Sequence, residues 1–279
     1  MASIKRLYSA LNRPGPHRVL RGDLAYAGLA GVVYTPASGY RLPAVAFGHD
    51  WLTRADRYAG LLEHLASWGI VAAAPDTGRG LAPSVLESAA DLGRALDIAT
   101  DIRLGPGRIS IDRGRLAVAG HGFGGSAAVF AAAGLSLKPQ AVVSIFPTVT
   151  SPAAEQAAAA LEVPGVVFSG PGDSTALRSN AVELAHAWRS ATLRVITKAS
   201  PAGLPQGGRL SGFFGLPTSD RRTQRRVRAL LTGYLLAQLA GDKTYRPFAD
   251  PDVRLPHTEP LDALPEPASH EEKIAALLK

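Results

Sequence analysis

The stretch that decides the fold reads Gly120-His121-Gly122-Phe123-Gly124-Gly125. An apolar run with strand character, residues 115–119, leads into it, and an alanine-rich run with helical character, residues 126–133, follows it. Glycine accepts the positive φ angles and the close backbone approaches that a sharp strand-to-helix turn requires. The stretch therefore predicts a tight strand–turn–helix unit whose apex is Gly122, a residue without a side chain.

Strand-like and helix-like segments alternate on both sides of this turn. Residues 18–34 predict two antiparallel strands, and later strands are predicted at 43–48, 70–76, 116–121, 141–146, 163–169 and 193–197. Helices are predicted at 55–68, 84–102, 126–133, 153–161, 175–189 and 219–239. This alternation predicts an α/β fold with a mostly parallel, twisted sheet and helices on both faces.

The domain organisation predicted from the sequence is one α/β domain, residues 1–240, and a Pro-rich C-terminal tail, residues 241–279, with a short terminal helix. Apolar residues recur in the tail at a frequency that is high for a disordered segment. These residues predict packing along the domain or a second subunit: Phe248, Val253, Leu255, Leu261, Leu264, Ile274, Leu277 and Leu278.

Composition excludes several classes of protein. The 279 residues are 46% hydrophobic, which is enough for one sizeable core, and the absence of cysteine excludes disulfides and thiolate sites. The net charge of +7 comes without a nucleic-acid-binding motif, so no nucleic-acid partner is expected. No apolar run reaches the roughly 20 residues of a membrane span, and the N-terminal residues lack a signal-peptide pattern. We therefore expect a cytoplasmic protein with no transmembrane segment, no metal and no cofactor.

Four motifs carry a resemblance to a known family. They are Gly48-His49-Asp50-Trp51 after the third predicted strand, Ala74-Pro75-Asp76 after the fourth, the turn at Gly122, and the segment 163–173, which ends on Asp173. In this order they resemble the α/β-hydrolase superfamily, and in particular bacterial polyester hydrolases (cutinase-like) and dienelactone-hydrolase-related esterases. The resemblance covers residues 18–240 and implies the α/β-hydrolase fold.

The resemblance also implies a degenerate catalytic triad. In this family the turn is the nucleophile elbow, G-x-S-x-G, and the triad follows in the order serine, acid, histidine. The serine position is Gly122, and the acid position is Asp173. The family's histidine follows the last strand, and here that position is Pro201. Two of the three catalytic side chains are therefore absent.

The same resemblance assigns an oxyanion loop to Asp50 and Trp51, with Phe123 following the elbow. A carboxylate on Asp50 that pointed into the site would oppose the negative charge that develops during acyl transfer. His49, Asp50 and His121 follow neighbouring strands, at the sheet edge where open α/β sheets bind ligands. They are candidates for proton transfer or, weakly, for metal ligation, while packing and ion pairing are the alternative roles for them.

Two hypotheses on function follow. The first is a non-catalytic homologue that binds a small acyl or hydrophobic ligand, a protein partner or a second copy of itself. The second is a carboxylic-ester hydrolase, or another enzyme of this fold, with a non-standard catalytic set in which His257 replaces the missing histidine or Asp50 acts with the neighbouring histidines. Ser126, the hydroxyl nearest to the elbow, lies one turn into the helix and is not expected to act as the nucleophile.

The last long predicted helix carries an arginine-rich face. An amphipathic helix with its leucines on the sheet and its arginines in water accounts for this pattern. A docking face for an acidic partner or a membrane surface is the functional alternative. The arginines concerned are Arg221, Arg222, Arg225, Arg226 and Arg228.

Overall fold

The computed structural model describes residues 3–78, 80–105, 107–136, 138–207, 219–259 and 265–277. Eight strands form one sheet: β1 Val19–Asp23, β2 Gly31–Pro36, β3 Gly39–Gly48, β4 Val71–Pro75, β5 Ile109–His121, β6 Ala141–Ile145, β7 Gly165–Ser169 and β8 Ala191–Val195. Their order is β1-β2-β4-β3-β5-β6-β7-β8. β2 is antiparallel to its neighbours β1 and β4. The other six strands, which lie in the order β4-β3-β5-β6-β7-β8, are parallel to one another. The predicted fold class, an α/β-hydrolase fold, is confirmed.

Helices cover both faces of the sheet. They are α1 Ile4–Leu11, α2 Ala59–Ser67, α3 Val85–Asp101, α4 Phe123–Gly134, α5 Ala154–Ala158, α6 Ala181–Ala187, α7 Arg221–Leu239 and α8 His270–Leu277. α1, α2 and α7 share one hydrophobic core with one face of the sheet, and α3 to α6 share a second core with the other face. Strand side chains alternate between the two cores, as their period of two requires: Val45 and Phe47 belong to the first, and Ala44 and Ala46 to the second.

Some element boundaries differ from those predicted. β5 begins at Ile109 instead of residue 116, and α5 and α6 are shorter than their predicted spans. α1 was missed altogether. Ser3 caps this helix by accepting a hydrogen bond from the N–H of Arg6, and Tyr8 and Leu11 are buried in the first core. A helix of eight residues is marginal by local propensity alone, so α1 depends on tertiary packing that the sequence does not display.

α7 is amphipathic, as its pattern predicts. Its leucines are buried in the first core, and Arg221, Arg222 and Arg225 are exposed. Arg226 and Arg228 are only half-exposed, which corrects the expectation that all of these arginines face water. Among the helices in the described ranges, none is long and apolar enough to cross a membrane.

The tail packs against the domain over residues 243–259. A 3₁₀ helix, Lys243–Phe248, places the Phe248 ring in the first core, and Leu255 is buried there as well. Thr258 then pairs with Ile196 just beyond β8, and Glu259 donates a backbone hydrogen bond to Val195 (2.9 Å). This segment therefore covers the free edge of the last strand, which would otherwise expose unpaired backbone groups.

Among the described residues after 259, the packing contact is made by a charged side chain. Lys273 of α8 is buried and donates to the carbonyl of Ser179 (3.0 Å), whereas Ile274 is exposed. The predicted packing residues Leu261, Leu264 and Leu278 lie outside the described residues.

The contact between Phe248 and α7 gives a test of tail packing. A Cβ added at Gly233 would lie 2.4 Å from Cδ1 and 2.5 Å from Cγ of Phe248. Gly233→Ala should therefore lower the free energy of unfolding by about 1–3 kcal/mol, measured by thermal or urea denaturation followed by circular dichroism.

Gly134→Ala is the matched control, because a Cβ there meets no atom within 4 Å. We expect no loss of stability from this change. Equal effects of the two substitutions would show that the tail does not pack on α7 as described.

Candidate functional site

The elbow is a strained turn between β5 and α4. Gly122 has φ 56° and ψ −121°, a combination that non-glycine residues adopt only under strain. A Cβ at Gly120 would lie 2.0 Å from the carbonyl oxygen of Gly124, and a Cβ at Gly124 would lie 2.3 Å from that of Gly48. The glycines on either side of the apex are thus required by close backbone packing between α4 and the ends of β3 and β5.

The side chain of Asp50 fills the space above the apex. A Cβ placed on Gly122 would lie 2.1 Å from Oδ1 and 2.3 Å from Cγ of Asp50. These separations are too short for any real contact, so the carboxyl group occupies the volume that a nucleophile's side chain needs. Asp50 and a residue larger than glycine at position 122 exclude each other in this conformation.

The carboxylate is held by two backbone donors. Oδ1 of Asp50 accepts hydrogen bonds from the N–H of Trp51 and from the N–H of Phe123, both at 2.9 Å. In an α/β-hydrolase the oxyanion hole consists of the N–H after the nucleophile and an N–H from the loop after β3. The resemblance assigns those two positions to Phe123 and Trp51. Phe123 is also the first residue of α4, where the helix dipole favours a negative charge. The carboxylate of Asp50 is therefore bound by the two N–H groups that the resemblance assigns to an oxyanion hole.

Tyr58 contacts the backbone of Asp50 and the ring of His121 through its hydroxyl group. Its hydroxyl oxygen accepts from the N–H of Asp50 (3.2 Å) and lies 2.7 Å from Nδ1 of His121. Burial lowers the pKa of His121 and raises that of Tyr58 well above its ordinary value, so both groups are neutral. The tyrosine hydroxyl then donates to the unprotonated Nδ1. His121 is about 1% exposed and packs edge-on against Phe146, so it is a buried packing residue with no access to a ligand at the surface.

His49 joins two loops at the same edge of the sheet. Its Nδ1 lies 2.9 Å from the carbonyl oxygen of Asp50, and its Nε2 lies 4.0 Å from Oδ1 of Asp76. Asp76 also accepts from the N–H of Ala55 (3.1 Å). The candidates His49, Asp50 and His121 are therefore close together: Tyr58 connects Asp50 to His121, and His49 contacts the backbone of Asp50. Within the part of the chain that the structure describes, no group of three histidine or carboxylate side chains is arranged to hold a metal ion.

Asp173, which the resemblance assigns to the acid position, lies in the loop after β7. It is buried, and its Oδ2 accepts from the N–H of Gly170 (2.7 Å). Burial raises the pKa of Asp173. A Cβ at Gly170 would lie 2.7 Å from the carbonyl oxygen of Ala199 and 3.5 Å from Oδ1 of Asp173. Pro201, which the resemblance assigns to the histidine position, begins the short turn Pro201–Gly203 two residues after Ala199. The assignment of Gly122, Asp173 and Pro201 to triad positions stays a prediction.

The described contacts bring neither Ser126 nor His257 to the elbow. Ser126 is fully buried, and its hydroxyl donates to the carbonyl of Thr148 (2.6 Å). The His257 ring packs against Tyr8 of α1, with 5.4 Å between ring centroids. Partial burial and the nearby Arg226 lower the pKa of His257. The structure thus places His257 beside α1, where it has contacts that account for its position.

Tyr58 is the site residue that the sequence analysis missed. The sequence places it only within the predicted helix 55–68, and in the structure its ring packs in the core, 5.0 Å from that of Phe47. No motif marks it as a partner of Asp50, because its hydrogen bonds depend on how the loop after β3 folds over it.

Comparison with protein families matches residues 27–161 to the chlorophyllase family, an α/β-hydrolase-type family. The matched region includes the Asp50 loop and the elbow and ends before Asp173 and Pro201. The match and the eight-stranded sheet together fit the α/β-hydrolase superfamily. No curated protein is significantly similar to the chain. The finer resemblance to polyester hydrolases and dienelactone-hydrolase-related esterases stays a prediction.

The hydrogen bonds of Asp50 can be tested through stability. Asp50→Ala leaves the N–H groups of Trp51 and Phe123 without their acceptor and should lower the free energy of unfolding by about 1–3 kcal/mol. Asp50→Asn keeps an oxygen acceptor and should lower the free energy of unfolding by less than Asp50→Ala does. Urea denaturation of the purified variants provides the measurement.

Asp56→Ala is the matched control, since Asp56 is exposed and pairs only with the exposed Arg54 (3.4 Å). Asp56→Ala should change the free energy of unfolding by no more than about 0.5 kcal/mol. If Asp50→Ala is as mild as this control, the carboxylate is not held as described.

Proposed function

We propose that this chain is a non-catalytic α/β-hydrolase homologue that acts as a binding or interaction protein. The observation that carries the proposal is the carboxylate of Asp50, which is bound to the N–H groups of Trp51 and Phe123 and covers the apex glycine. The remaining scaffold keeps the cleft at the carboxyl edge of the sheet, where proteins of this architecture bind ligands.

Absence of the catalytic serine and histidine has a large effect on the rate of ester hydrolysis. In a serine protease, removing the serine or the histidine reduces turnover by about 10⁶-fold, and the residual rate over water, about 10³–10⁴-fold, comes from the oxyanion hole and binding. Here Gly122 and Pro201 remove both side chains. The carboxylate of Asp50 also removes the residual contribution, because a substrate oxygen would have to displace an ion held by two charge-assisted hydrogen bonds.

A small pocket beside the elbow is partly open to solvent and has a cavity volume of about 20 Å³. Its lining includes Leu92, Phe123, Ala127, His49 and Thr77. Apolar walls with a few polar groups are typical of small-molecule sites. In this conformation the pocket has room for only one end of a ligand, and its lining favours the acyl or hydrophobic end of a small molecule.

An ester hydrolase with a non-standard catalytic set is the second candidate. The match to an α/β-hydrolase-type family and the pair formed by His49 and Asp76 beside Asp50 favour it. In this candidate Asp50 would replace the missing nucleophile, and His49 would be the nearest histidine to activate water. The hydrogen bonds that hold Oδ1 of Asp50 in the oxyanion hole oppose this role.

Chemical labelling separates the two candidates. With no serine at the elbow, the purified protein should not react with fluorophosphonate probes and should cleave p-nitrophenyl butyrate no faster than buffer does. Labelling is read by intact-protein mass spectrometry. Stoichiometric modification of any serine, or ester cleavage that Asp50→Asn abolishes, would overturn the non-catalytic proposal.

Reconstruction of the site gives an independent test. Gly122→Ser alone should remain inactive, because its Cβ meets the Asp50 carboxylate and its hydroxyl lacks a base. Gly122→Ser combined with Asp50→Gly and Pro201→His should exceed the single variant in esterase rate by at least about 10²-fold, the lower range of general-base catalysis.

Each elbow variant is also prepared with Ser126→Ala, so that labelling of the helix serine is not mistaken for labelling of the elbow. Robust esterase activity from Gly122→Ser alone would show that another base already reaches the elbow.

A further inference from the structure

Two arginines without side-chain partners among the described residues line one pocket, which Tyr58 also borders. Arg57 precedes α2, Arg228 lies on α7, and the segment 204–206 completes the walls. The Nε atoms of both arginines are shielded from solvent and have no hydrogen-bond acceptor. Among the described residues, neither guanidinium group forms an ion pair or a side-chain hydrogen bond.

The pocket contains no counter-charge within the described ranges. Its other polar lining comes from the neutral side chains of Tyr58, Gln206 and Gln224. The neighbouring acid Asp56 is paired with Arg54, and Asp220 caps α7 through the N–H groups of Arg222 and Thr223. The sequence of residues 208–218, which follows Gln206, contains no aspartate or glutamate.

Two features of the structure disfavour the charged form of Arg228. Burial lowers the pKa of this guanidinium, and the like charge of Arg225 lowers it further. Both side chains are only half-buried, but their Nε–H donors are shielded from solvent, and a shielded donor without an acceptor carries a desolvation penalty. Two such donors on guanidinium groups that line one cavity indicate a ligand that supplies acceptor oxygens and negative charge.

We propose that this pocket binds a small oxyanion, the carboxylate or phosphate group of a ligand, between Arg57 and Arg228. Planar guanidinium groups recognise both of these anions through paired N–H donors. The pocket is small, with a cavity volume of about 30 Å³, and it is partly open to solvent, so it can take a charged end group but not a whole ligand. Leu61 and Leu204 give the pocket an apolar wall for the carbon atoms next to the anion.

The proposal goes beyond the function of the elbow and does not depend on whether the elbow is catalytic. The pocket and the elbow share only Tyr58, whose ring lines the pocket while its hydroxyl contacts the Asp50 N–H and His121. Anion binding and fluorophosphonate labelling therefore report on separate features of the molecule.

The test is a titration of the full-length protein with sodium acetate, sodium butyrate or sodium phosphate at constant ionic strength, with sodium chloride as the reference salt. Saturable thermal stabilisation by at least one oxyanion, confirmed by calorimetry, is expected. A response to acetate or butyrate identifies a carboxylate site, and a response to phosphate alone identifies a phosphate site.

Variants locate the binding. Arg57→Gln and Arg228→Gln should each weaken binding by at least about tenfold, as expected for loss of a charged hydrogen-bond donor. Arg225→Gln is the matched control, because Arg225 is exposed on the same helix. If either glutamine variant is unfolded by circular dichroism, the corresponding lysine variant replaces it, since lysine keeps the charge but not the planar donor pair.

Three results would overturn the proposal. The first is the absence of saturable stabilisation by all three anions. The second is binding that is unchanged in both Arg57→Gln and Arg228→Gln. The third is an equal loss of binding in Arg225→Gln, which would assign the effect to the general charge of α7 instead of to the pocket.

Discussion

The carboxylate of Asp50 accepts hydrogen bonds from the N–H groups of Trp51 and Phe123, and the arrangement of the site depends on these two bonds. The bond from Phe123 joins the loop after β3 to the first residue of α4, 73 positions further along the chain, and the bond from Trp51 orients the carboxylate within the loop. The same carboxyl group occupies the space above Gly122, which only glycine leaves free. Asp50 therefore links the loop to the turn and, in the proposed function, fills the site at which an oxyanion would bind.

Backbone packing accounts for the shape of the elbow, whether or not the elbow carries a catalytic side chain. The elbow keeps its strained backbone and its close glycine contacts, because these are set by the packing of α4 on β3 and β5. Asp173 and Ala199 likewise border one glycine, Gly170, and Pro201 follows Ala199 by two residues. Because one fold can carry different side chains at its site, function has to be argued from the residues at those positions.

Much of this architecture could be predicted from the sequence, since alternating periodicities and the glycine turn determine a mostly parallel sheet with a strand–turn–helix unit at its centre. The motifs of the resemblance also predict that Gly122 and Pro201 stand at the serine and histidine positions. Contacts that form only in three dimensions could not be predicted. The direction of the Asp50 side chain depends in part on the N–H of Phe123, 73 positions along the chain, and Tyr58 could be placed only within a predicted helix. Arg57 and Arg228, which have no side-chain partner among the described residues, meet because the start of α2 packs beside α7, a contact that no local pattern encodes.

The proposed function rests on the carboxylate of Asp50 lying between the N–H groups of Trp51 and Phe123. A crystal structure of the full-length protein, at a resolution that distinguishes a carboxylate from ordered water, would show where this side chain lies. We expect Oδ1 of Asp50 within hydrogen-bond distance of both N–H groups, with no room for a side chain on residue 122. An Asp50 side chain turned toward solvent, with water bound to both donors, would show that the carboxylate does not block this site.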